Sequence, residues 1–124
     1  MGWIPQAGSM ALAALALGTA PAAPAETPAQ LDALSRAGES ETAGLALARR
    51  QADAGDLLDA LATLERVILN QPEHSYAARL YHAALLCRVD DRRGALIELD
   101  GLRGHDIDPG LRDEVQDACS GPGN

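Results

Sequence analysis

From residue 28 onward the apolar positions of this chain recur at helical spacing, and no segment alternates with the period of two that a strand requires. Thr27-Pro28-Ala29-Gln30 reads as a helix start. Thr27 is the N-cap, Pro28 takes the first helical position, and Gln30 three residues on completes a capping box. Leu31 and Leu34 then form a short apolar stripe that Gly38 closes. Ser40 or Thr42 opens a second helix carrying Leu45, Ala46, Leu47, Ala48 and Ala52, which stops at Gly55, a natural left-handed C-cap. Asp56 caps a third helix through Asn70, with Leu57, Ala60, Leu61, Leu64, Val67 and Ile68 at i, i+3, i+4 spacing, and Pro72 ends it. The stretch from Glu73 to Val89 is apolar nearly all round, the pattern of a helix packed on several sides, and is expected to be the most buried. Asp91 starts another helix with Ala95, Leu96, Leu99 and Leu102 inward, ending near Gly104. Asp108-Pro109 opens the last, with Leu111, Val115 and Ala118. An all-α fold is expected.

Two of these helices echo one another. Asp56, Ala60, Leu61, Leu64 and Val67 recur as Asp91, Ala95, Leu96, Leu99 and Leu102, each at an offset of 35 residues. Periods of this size mark stacked helical hairpins, whose units bury their apolar faces only against neighbours and leave an outer surface for binding.

Gly55-Asp56 between helices, Ala60 at a close helix crossing, Leu64, Val67 and the closing Pro72 resemble a unit of the tetratricopeptide repeat family. The second unit keeps Asp91, Ala95, Leu96, Leu99 and Leu102, but has Val89-Asp90 where Gly is usual and lacks a closing Pro. It reads one residue longer, and neither unit has the family's Trp in its first helix. The resemblance implies antiparallel helical hairpins over residues 43–104, stacked as a short α-solenoid. A short first helix and linker (26–42) precede them. A C-terminal capping helix (105–119) and a disordered tail (120–124) follow. It also implies a protein or peptide partner held in a concave groove lined by the first helix of each pair, with Arg49, Tyr76, Arg79 and Ala83 as candidate lining residues. Two arginines and a tyrosine suit a carboxylate, because a guanidinium binds it through paired donors. The Lys/Asn set of family members that clamp chaperone C-termini is missing, so that activity is not carried over.

Composition narrows the picture further. The 124-residue chain is 47% hydrophobic but only 2% aromatic, so its core must be built from Ala, Leu, Val and Ile. With a net charge of −8 and basic residues interspersed among acids, it has no electrostatic footprint for a phosphate backbone, and nucleic acid is not an expected partner. Residues 1–25 carry no charged side chain, have an apolar stretch from Met10 to Leu17, and end in the small-residue site Ala23-Pro24-Ala25. They resemble a secretory signal peptide cleaved after Ala25, which implies a periplasmic or secreted protein. The departure is the absence of Lys or Arg near the N-terminus, and the alternative is a disordered Ala/Pro-rich leader. Pro5, Gln6, Pro21 and Pro24 interrupt the run well short of the ~20 apolar residues of a membrane span, and no transmembrane helix is expected.

Cys87 and Cys119 each lie near the C-terminal end of a helix, and if those helices are parallel neighbours the two sit at the same height. An exported protein would join them in a disulfide, and two buried free thiols are the other reading. His74, His82 and His105 are too scattered for a metal constellation, and no cofactor is expected. Asp106-Ile107-Asp108-Pro109-Gly110 has Leu111 where a calcium loop needs its sharp-turn Gly, so helix capping by Asp108 explains the acids. Ser75 directly follows His74, but adjacent residues on a helix do not face each other, and no base, orienting group and oxyanion site occur together. The expected function is that of a periplasmic interaction module, an adaptor or assembly factor and not an enzyme. The alternative is a structural subunit of an envelope complex whose fold its partner completes.

Overall fold

The computed structural model describes residues 25–121 together with Gly2 and Gly18. The rest of the segment read as a signal peptide, and the last three residues of the tail, lie outside the described residues. Among the described residues there are six helices and no strand: α1 Pro28–Ala37, α2 Glu41–Asp53, α3 Leu57–Asn70, α4 Tyr76–Arg88, α5 Arg92–Gly101 and α6 Pro109–Cys119. Short turns join α2 to α3 and α4 to α5, and each pair packs together as a hairpin. α3 also packs on α4, α1 on α2, and α6 on α4.

Local signals account for most helix ends. The Thr27 hydroxyl accepts from the Gln30 N–H while the Gln30 side chain accepts from the Thr27 N–H, a complete capping box. Ser40, Asp91 and Asp108 each accept from the N–H three residues on. The two hairpin turns are built alike. Gly55 has φ 89°, and Asp90 takes the same left-handed conformation at φ 66°, where only Asn, Asp or Gly is at ease. The following amides then make matching bonds, Asp56 N–H to the Gln51 carbonyl and Asp91 N–H to the Leu86 carbonyl, both 2.8 Å. The missing Gly of the second unit therefore does not change its turn.

Three expectations are corrected at this level. α4 begins at Tyr76 and not at Glu73, because residues 71–75 form the non-helical link around Pro72. Its cap comes from another helix: Ser75 makes no side-chain cap bond, and the Glu41 carboxylate of α2 accepts from the Ala78 N–H at 2.8 Å. A carboxylate there satisfies an orphan donor and lies at the positive end of the helix dipole. Leu96, expected inward, is 66% exposed, whereas Ala95 and Leu102 are buried. Ser120, assigned to the tail, is the C-cap of α6, its N–H bonded to the Gln116 carbonyl.

The core runs through α4, which buries Ala78, Leu80, Tyr81, His82, Ala83, Ala84 and Leu85, as its all-round apolar pattern predicted. Leu64 and Val67 of α3 and Ala48 and Ala52 of α2 complete the centre. Gly44 lies where α1, α2 and α3 meet. A Cβ at Gly44 would overlap the Val67 side chain and the Ala37 carbonyl oxygen, so the approach of α2 to α3 depends on its absence. α6 lies alongside α4 in the same direction: the Tyr76 ring at the start of α4 stacks on His105 just before α6, centroids 4.1 Å apart, and Cys87 and Cys119 join the far ends in a disulfide. Closing a loop of sequence separation 32 limits the unfolded chain, a stabilisation of about 3 to 4 kcal/mol.

Candidate functional site

α4 is flanked by α2 on one side and α6 on the other, and a polar group crosses all three. The Arg49 guanidinium of α2 lies over the Tyr81 ring of α4, 4.5 Å from its centroid. From there it reaches Glu114 of α6 and donates through both terminal nitrogens, Nη1 to Oε1 at 3.0 Å and Nη2 to Oε2 at 2.8 Å. This is the two-pronged geometry in which guanidinium holds carboxylate with most specificity. The side chains of Arg49 and Glu114 remain about 40% exposed. Water therefore screens the pair, and its net contribution is of the order of 1 kcal/mol.

Two of these groups, Arg49 and Tyr81, are shifted from their ordinary values. The hydrogen bonds to Glu114 raise the Arg49 pKa above its ordinary value, against an opposing effect of partial burial. Burial pushes the Tyr81 phenol above its ordinary value too, while the positive charge of Arg49 pulls it back. The result is a fixed cation on a neutral aromatic platform, with a carboxylate seated against it.

The four lining residues nominated from sequence do not come together. Arg49 is at the centre of the cluster. Tyr76 instead stacks on His105, and Arg79 donates to the Pro72 carbonyl at 3.4 Å, so both secure the loops around the start of α4. Ala83 has no exposed surface and packs in the core, so it has nothing to offer a partner. The physical reason is helical phase: Tyr76 and Tyr81, five residues apart, point some 140° from each other around α4. The 35-residue offset marks Ala83 as interior but does not pick out Tyr81. It matches buried Ala48 with buried Ala83, and it pairs Tyr81 with Ala46, which is exposed. Nothing local to Glu114 marks it, because its partner lies 65 residues away.

The histidines are equally divided. His82 is buried in α4 between Glu65 of α3 and Glu98 of α5, with Nε2 3.6 Å and Nδ1 3.5 Å from the respective carboxylates. These are ion-pair distances for a protonated ring, and neither nitrogen makes a hydrogen bond. Among the described residues no group of three or more His, Cys, Asp and Glu is arranged to hold a metal ion, and no helix is long and apolar enough to cross a membrane. A small apolar cleft opens between α5 and α6 over α4, lined by Leu80, Leu99, Arg112, Val115, Gln116 and Cys119. Compared with known proteins, the chain matches no family model, no curated protein and no solved structure.

Proposed function

We propose that this chain is an exported protein-interaction module, an adaptor or assembly factor, that holds a carboxylate-bearing peptide or protein segment on the face of α2, α4 and α6. In this reading the hairpins α2–α3 and α4–α5 are two tetratricopeptide-like units, α6 caps them, and the three aligned helices line the concave side. The reading is carried by Arg49, a cation half open to water and based on Tyr81, which already grips a carboxylate by both oxygens. A partner's carboxylate has the same chemistry as Glu114 and competes for the same donors. The disulfide between Cys87 and Cys119 supports an oxidising compartment, in keeping with the leader.

The test is a binding titration of the chain against an array of peptides that end in a free carboxylate or in an amide, or carry internal Asp and Glu. Carboxylate peptides should bind in preference to amides. Glu114→Gln, which weakens the internal competitor, should tighten that binding several-fold, and Arg49→Met should abolish it. Equal binding of carboxylate and amide peptides, or indifference to Arg49→Met, would overturn the assignment. The open cleft beside Leu99 favours a second reading, a structural subunit completed by its partner. Helicity that depends on an added partner would support it over the independent module.

A further inference from the structure

The outer face of α5 carries a stripe that the fold itself does not use. Leu96 and Ile97 are adjacent large aliphatics, 66% and 67% exposed, and Arg93 and Asp100 flank them, both exposed. At 100° per residue these four side chains fall within one arc of about 100° on the helix. The inward positions of α5 are others: Ala95 and Leu102 are buried, and Glu98 turns toward His82. The repeat does not require the stripe either. The matching positions on α3 are Leu58, Leu61, Ala62 and Glu65, a different set of charges with Leu61 buried.

The order of the stripe is self-complementary. A basic residue, two aliphatics and an acidic residue stand at 93, 96, 97 and 100, symmetric about the midpoint between Leu96 and Ile97. Two such helices crossing antiparallel about a two-fold axis set Leu96 against Ile97 of the second copy and Arg93 against Asp100 of the second copy, each contact occurring twice. An isologous interface requires this arrangement, in which i meets j and j meets i. We infer that α5 is the seam of a two-fold homodimer. Asp100 pairs with Arg103 at 3.1 Å within the chain, but both are well exposed, and such a pair exchanges partners at little cost. α2, α4 and α6 contribute nothing to the seam, so the Arg49 face of each copy stays open.

A ten-residue helix is about 15 Å long, so the contact is small beside the ~1,600 Å² of a tight complex, and self-association is expected in the range of about 10–100 µM. Sedimentation equilibrium of the full-length oxidised chain, from about 1 to 300 µM, should show a reversible monomer–dimer equilibrium. Leu96→Asp and Ile97→Asp should each weaken it at least about tenfold, with helicity and the disulfide unchanged because both positions are exposed. Arg93→Asp should weaken it as well, and the charge swap Arg93→Asp with Asp100→Arg should restore it. A monomer at every concentration would overturn the inference. So would a dimer insensitive to Leu96→Asp, a swap that fails to rescue, or association that continues beyond two copies.

Discussion

The two hairpins share a pattern of residues but not a pattern of burial. In α3, Leu61 and Leu64 are both covered, the second completely; their counterparts on α5 are Leu96, mostly exposed, and Leu99, half-covered. What differs is the neighbour that follows. α4 packs directly on α3, whereas α6, tied to α4 by the disulfide and by the Tyr76–His105 stack, stands off from α5 and leaves a cleft between them. A helix face is buried only when the next element lies on it. Ala95 and Leu102 stay as buried as Ala60 and Val67, but the leucine that Leu61 buries in the first hairpin becomes surface in the second as Leu96.

The largest expected effect comes from truncating the matched leucines. Leu64→Ala should cost about 3 to 5 kcal/mol, since it empties a fully buried site, and Leu99→Ala less than half as much. Urea unfolding of both variants checks the contrast, and equal losses would mean that the α5 face is as well covered as that of α3. Next comes the cross-link that sets α6 on α4. Replacing Cys87 and Cys119 together by Ser should destabilise the chain by about 3 to 4 kcal/mol. Amide exchange should then quicken first in α6 and the end of α4, while α2 and α3 keep their protection; a uniform loss would show that the two hairpins unfold as one unit.

The smallest effect is pH-dependent and belongs to the second hairpin alone, because Tyr81 stands where the first has exposed Ala46. Burial raises the Tyr81 pKa above its ordinary value of about 10, so folding favours the neutral phenol. Its stabilising contribution is complete below pH about 10 and is lost as the pH rises through the raised folded value. Denaturation midpoints should fall across that alkaline window in the parent chain and fall less in Tyr81→Phe. Parallel profiles for the two would show that another group carries the decline.

Much of the helical layout was legible because its causes are local. Thr27, Ser40, Asp91 and Asp108 cap with their own side chains, and the left-handed turn at Gly55 follows from one residue. Where a cap comes from elsewhere, as Glu41 does for α4, the boundary misled by three residues. The cluster around Arg49 was legible only in part. Arg49 lies at its centre, but the tyrosine beneath it is Tyr81 and not Tyr76, which points some 140° away around α4. Glu114 could not be found, because an ion pair across 65 residues leaves no periodic trace.

The order of apolar and capping residues by itself determined that this chain is helical, where its hairpins turn and which helix lies innermost, since helix spacing, caps and turns act within a few residues. Tertiary structure alone decided that Arg49 meets Glu114 over Tyr81 and that Leu96 faces outward while Leu61 does not, and it settled the Cys87–Cys119 pair as a disulfide between the two readings the sequence left. Those outcomes depend on which helix lies beside which, a matter of packing between segments distant along the chain.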